Sequence, residues 1–106
     1  METRVSRRTG PDRFEITVDG QVAGFTQFVD HDGRRIFQHT EIAEEHAGQG
    51  LAGEVVGTAL RRTVDEGLRI VAVCPYVKQY VNTHEEFADH VDAATPGLLR
   101  AIPRHR

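Results

Sequence analysis

One cysteine, one methionine, one lysine and no tryptophan stand among the 106 residues of this chain. A lone Cys74 excludes an internal disulfide and leaves no cysteine-rich zinc site. The only lysine is Lys78, so no Lys-Ser or Lys-Thr pair follows a glycine turn and a Walker-type phosphate loop is excluded. No apolar run reaches the roughly 18 residues needed to cross a bilayer. The start, Met1-Glu2-Thr3-Arg4, has no apolar signal core, so a cytoplasmic protein is expected. Excess positive charge is missing too. The net charge is −3 at pH 7 and the arginines come as scattered pairs, Arg7-Arg8, Arg34-Arg35 and Arg61-Arg62. Without a basic stripe, a general nucleic-acid binder is not expected. No pair of histidines joins a carboxylate at ligand spacing on one face, and His31 and His46 fall in loops, so no metal is expected.

What is present fits one domain with one hydrophobic core, at 39% hydrophobic residues. Phe14–Val18 alternates apolar and polar residues, as a half-buried strand does. Asp19-Gly20 signals a hairpin, and Val22–Val29 returns as a second strand with a bulge at Ala23-Gly24. A turn at Asp30–Gly33 leads to a third strand, Arg34–Ile42. Ala52, Val55, Val56, Ala59, Leu60, Thr63 and Val64 then recur at helical spacing, and Gly67 is a natural stop. Leu68–Cys74 is a nearly continuous apolar run, the mark of an interior strand. Val77, Tyr80, Val81, His84, Phe87 and Val91 form the stripe of a second helix. The expected order is βββ-α-β-α, an α+β domain with an antiparallel three-stranded meander, then α-β-α, and one mixed sheet flanked by helices. The core spans 14–91, and the tail 93–106 is expected to be poorly ordered at its end.

The richest local signal is Gly48-Gln49-Gly50-Leu51-Ala52-Gly53, three glycines in a turn that opens a helix. Backbone without Cβ atoms can approach a ligand closely, and the unpaired amides at a helix start favour an anion. The segment also spells Gly-x-Gly-x-x-Gly. A dinucleotide fold would need a βαβ unit and a carboxylate about 20 residues on, at the next strand's end. Here that strand closes in Pro75-Tyr76-Val77, and hairpins precede the turn. The dinucleotide reading therefore fails on context.

Three segments in order, His39-Thr40-Glu41-Ile42, then Gly48-Gln49-Gly50-Leu51-Ala52, then Cys74-Pro75-Tyr76-Val77-Lys78 with Tyr80 and His84-Glu85, resemble a GNAT-type N-acetyltransferase. More narrowly they resemble the small YjdJ-type branch, over roughly Phe14 to Val91. The resemblance implies acetyl-CoA as cofactor, its pyrophosphate held by backbone amides of a (Gln/Arg)-x-x-Gly-x-(Gly/Ala) loop. Gly50 and Ala52 match that loop's last two positions, and Ala47 stands where Gln or Arg is usual. It further implies that the strand ending at Ile42 splays from Val71–Cys74, with the pantetheine in the gap. The cofactor residues expected are Ile42, Ala43, Gly48, Gln49, Gly50, Leu51, Ala52, Gly53, Cys74, Pro75, Tyr76 and Tyr80.

Acetyl transfer to an amine needs a base for the attacking nitrogen and an acid for the leaving sulfur. Glu41, at a strand end beside the cofactor loop, is a candidate base, directly or through water. His39, two residues earlier, shares its face on a regular strand and suits proton relay. Cys74 could act as an acid or carry the acetyl group, given a depressed pKa, or simply pack as a small hydrophobe. Tyr80 resembles the superfamily tyrosine that protonates the leaving sulfur, and Tyr76, four residues earlier on the same face, competes with it. His84 is expected in the core or behind the site. The expected activity is direct acetyl transfer to an amine on a small molecule, peptide or protein. The alternatives are a non-catalytic coenzyme A-binding sensor or scaffold, and an interaction domain with no cofactor. No clear strand follows the last helix, so the acceptor side is expected to be open. A monomer or a homodimer suits either case.

Overall fold

The computed structural model describes residues 2–103. Four antiparallel strands come first: β1 (Thr3–Arg8), β2 (Arg13–Val18), β3 (Gln21–His31) and β4 (Arg34–Ile42). A short 3-10 turn, Glu44–His46, and the glycine turn lead into α1 (Leu51–Asp65). Then follow β5 (Arg69–Ala72), α2 (Pro75–Thr83), a 3-10 segment at Glu85–His90, β6 (Val91–Asp92) and α3 (Pro96–Leu99). The sheet runs β1-β2-β3-β4-β5-β6, with β5 and β6 joined in parallel to β4 and β5. The expected meander and mixed sheet are present, with one more strand at each edge.

Both extra strands have physical reasons for being unreadable. β1 carries one apolar residue, Val5, among threonine, serine and arginines, as suits an exposed sheet edge. β6 is two residues long, and its Val91 falls on the stripe expected of the second helix. That helix stops at Thr83, whose hydroxyl donates to the Gln79 and Tyr80 carbonyls, while the His84 backbone is extended. Phe87 still reaches the core from the 3-10 segment, and Val91 pairs with Ile70 instead of continuing the stripe. In the tail, Thr95 caps α3 by accepting from the Leu98 amide, and Leu98 is buried. The tail's last three residues, 104–106, lie outside the described residues.

The turns follow the sequence closely. Asp19-Gly20 and Asp32-Gly33 all have positive φ, as two-residue hairpins require. Ala23 is the extra residue of a bulge, since Gly24 faces Ile16 and Val22 faces Thr17. Gly67, at φ +77°, ends α1 with Leu68 N–H bonded to the Thr63 carbonyl and Gly67 N–H to the Val64 carbonyl.

Two apolar layers sandwich the sheet. On one face α1 and α2 cover Phe14, Ile16, Phe28, Phe37 and Ile70. On the other, Leu98 of α3 sits on Ile36 and Val71, flanked by Val73, Ala101 and Ile102. Arg35, 1% exposed, is buried on the α1 side. Its guanidinium donates to Asp30 at 2.8 and 2.9 Å and to Glu66 at 2.9 Å, and lies 4.5 Å over the Phe28 ring. Burial works against its charge, but the bonds to the two carboxylates win and raise its pKa. At the same end of the parallel strands, Asp92 of β6 accepts from Arg34 of β4 at 3.0 Å and from Arg69 of β5 at 2.8 Å.

These pairs set an acid limit on stability. The hydrogen bond from Arg35 holds Glu66 below its usual carboxylate pKa, and the one from Arg69 does the same for Asp92. A depressed folded-state pKa adds stability above the unfolded value, and that contribution is lost as pH falls through the folded value. Urea midpoints are therefore expected to hold between about pH 7 and 5 and to drop below about pH 4.5, near the unfolded carboxylate pKa. Glu66→Gln should start less stable and lose less on acidification. An equal acid loss in variant and wild type would remove Glu66 from the account.

Candidate active site

The site begins where two neighbouring strands stop pairing. Arg34–Phe37 of β4 pair with Arg69–Ala72 of β5, and β4 then runs on to Ile42 without that neighbour. At the parting point the Phe37 carbonyl accepts from both the Val73 and the Cys74 amides, at 3.0 and 2.9 Å. Gln38 is an extra residue at the same place, because Gln27 faces His39 while Phe28 faces Phe37. The bulge bends β4 and shifts its alternation by one. Beyond it, Thr40 and Ile42 turn toward the helical face that Phe37 serves. His39 and Glu41 turn to the opposite face.

His39 Nε2 lies 3.2 Å from a Glu41 carboxylate oxygen, both side chains more than half exposed. The expected sharing of a face is met. Phe25 supports the His39 ring at 5.9 Å. Gly24, opposite Ile42, allows this close strand approach, since a Cβ there would sit 2.5 Å from the Glu41 carbonyl oxygen.

Across the gap, the buried Cys74 thiol donates to Thr40 Oγ1 at 3.5 Å, and Thr40 Oγ1 is 2.9 Å from Thr26 Oγ1. Cys74 is the residue before α2, whose first position is Pro75. Thr40 and Thr26 were not singled out from sequence. Their signal was available only through register, since one strand position decides whether Thr40 faces the thiol.

The glycine turn begins six residues along the chain from the end of β4. Gly48 and Gly50 have φ of +80° and +76°, so the turn needs glycine at both, whereas Gly53 has helical backbone and could hold a Cβ. Gly50 caps α1 with no side-chain cap. Among the described residues, no backbone acceptor serves the amides of 48–53. The nearest acid in that first turn, Glu54, is engaged by the Thr3 hydroxyl at 2.6 Å. Gln49 meets His46 at 3.2 Å, Leu51 is buried, and Ala43 bonds through its amide to the Ala23 carbonyl.

The two tyrosines lie in the seam between α1 and α2. The Tyr80 ring stacks on His84 at 3.8 Å, and its hydroxyl presses against Gly57, where a Cβ would overlap it. The Tyr76 hydroxyl lies 3.6 Å from where a Gly53 Cβ would stand. Burial, then the neighbouring Tyr80, pushes the Tyr76 pKa up. The structure thus joins His39 to Glu41 and Cys74 to Thr40, and directs the Tyr80 hydroxyl to α1.

The family model for GCN5-related N-acetyl-transferases matches residues 13–90. The chain belongs to this family. Protein NATD1 of Gallus gallus is 28% identical over 83 residues, 74% of this chain and 76% of that protein. NATD1 of Homo sapiens is 30% identical over 71 residues, 65% of this chain and 63% of that protein. Among solved structures, a GCN5-like protein of Staphylococcus aureus superposes with a TM-score of 0.64 at 17% identity, covering 86% of this chain and 91% of that one. The ribosomal-protein-alanine N-acetyltransferase of Brucella melitensis gives 0.54 at 21% identity, covering 78% and 64%. At those identities the structures speak to the GCN5-related fold, and the family match carries the general activity class, N-acetyl transfer. No helix among the described residues is long and apolar enough to cross a membrane.

Proposed function

We propose that the protein transfers an acetyl group directly from acetyl-CoA to an amine. The observation that carries this reading is the parting of β4 from β5 after Phe37–Ala72, which leaves one side of residues 38–42 without a strand neighbour. The fit to the cofactor rests on two features. Unpartnered amides of 48–53, opened by two left-handed glycines, suit a pyrophosphate. The gap itself offers β4 backbone groups to an extended amide-bearing chain. Acetyl-CoA, when bound, supplies an acetyl group activated as a thioester.

The chain's own residues divide the proton work between the two faces. Glu41, supported by His39, holds the proton taken from the acceptor nitrogen on the open face. Cys74 presents an S–H inside the gap, oriented by Thr40, which Thr26 holds in turn. Leu51, Val55 and Val77 keep water from the helical side.

Isothermal titration with coenzyme A tests the cofactor reading on wild type and Gly50→Val. A branched side chain at φ +76° is strained, so the variant should bind about tenfold more weakly or worse while keeping its circular dichroism. No binding by wild type would sink the cofactor reading. Binding without turnover on any amine would favour the non-catalytic coenzyme A module.

A further inference from the structure

A cavity of about 420 Å³ opens on the sheet face opposite α1 and α2, next to His39. Gln27 of β3, Gln38 and His39 of β4, Val73 and Ile102 line it. The open acceptor side expected from sequence is therefore partly walled, because the segment after α3 folds back with Ile102 on this face. The size is within the range of small-molecule sites, and apolar surface predominates over polar.

Its polar groups are two glutamines and His39. Gln27 is 9% exposed, and Gln38 Oε1 is buried without a hydrogen-bond partner among the described residues. A buried carbonyl without a donor is unusual and calls for one. The last torsion of a glutamine is broad, so the amide turns readily to bring that oxygen to the cavity. Among the described residues no carboxylate, lysine or arginine lines the space. One anion stands at its edge, Glu41, hydrogen-bonded to the lining His39.

We propose that this cavity is the acceptor subsite and that it selects small monoamines with a neutral, largely apolar body. The assignment rests on the acetyl-transfer reading above. One countercharge at the rim meets one ammonium, which Glu41 then deprotonates. A second ammonium, as in a polyamine, or a carboxylate, as in an amino acid, would enter a space with no partner for it among the described residues, and unpaired charge is costly to bury. Gln38 and Gln27 receive the N–H or O–H groups of the acceptor body, and Val73 and Ile102 cover its carbons. A peptide chain would have to displace Ile102 to bring a lysine stem to the same place.

The test uses the full chain with acetyl-CoA and four acceptors: tyramine, whose phenol supplies an O–H donor, spermidine, glycine and a lysine-containing peptide. The monoamine should exceed each of the others in kcat/KM by about tenfold or more. Gln38→Glu adds a second anion and should move the ratio of 1,4-diaminobutane to tyramine upward by about tenfold. In the coenzyme A complex, tyramine should shift the Gln38 side-chain amide and Val73 methyl resonances. Preference for spermidine or the peptide, an unchanged ratio in Gln38→Glu, or shifts elsewhere would each overturn the proposal. So would coenzyme A binding with no turnover of any of the four. Absence of coenzyme A binding would instead strike the acetyl-transfer reading, and this subsite with it.

Discussion

Glu41→Gln is expected to lower kcat/KM for acetyl transfer by about 10²- to 10³-fold, the range of a lost general base. Glutamine keeps the length of the side chain and can still meet His39, which stands 3.2 Å from the present carboxylate. It cannot hold a proton. Because Glu41 faces away from α1 and α2 while the glycine turn opens α1, coenzyme A affinity should hardly change. Steady-state rates with titration of coenzyme A on the same variant separate the two effects. Turnover within twofold of wild type would remove Glu41 as the base and leave His39 alone on that face.

The largest effect on stability is expected at Arg35. Arg35→Ala removes the buried guanidinium from Asp30 and Glu66 and from the rings of Phe28 and Phe14, at 4.5 and 5.8 Å. Breaking a buried pair by deleting one partner costs about 3–5 kcal/mol. Asp30 and Glu66 are 36% and 41% exposed and can rehydrate, so about 3 kcal/mol is the better figure here. In a domain of this size that lowers Tm by roughly 10–20 °C. Arg35→Met keeps most of the packing and should lose much less, because replacing a buried charge with apolar volume is often close to neutral. Urea denaturation of both variants decides the matter, and a loss under about 1 kcal/mol for Arg35→Ala would mean the pair is not a structural centre.

Legibility in the sequence followed how local each signal is. Asp19-Gly20, Asp32-Gly33 and Gly67 announce their turns because positive φ favours those residue types wherever the chain runs. α1 was readable from its apolar stripe, and β4 was readable to its last residue. β1 was not, since an edge strand rich in arginine shows no alternation. Nor was β6, two residues held by pairing with β5 rather than by any pattern of its own. At the site, the shared face of His39 and Glu41 follows from a two-residue period. Which face they share does not, because it depends on the Gln38 bulge. Without that extra residue both would point with Phe37 into the helical layer. Gly57, which makes room for the Tyr80 hydroxyl, was likewise silent, as its reason lies on another helix.

Asp92, bonded to Arg34 and Arg69, fastens β4, β5 and β6 together at the end opposite the gap. β4 and β5 thus form forceps whose handle is clamped and whose tips share no strand ladder. Rigidity at the handle confines any give to the tips, where Thr40 and Cys74 touch across the opening. Jaw width is then a property of the folded chain before anything enters, set at one end by charge and at the other by a single surplus residue in β4.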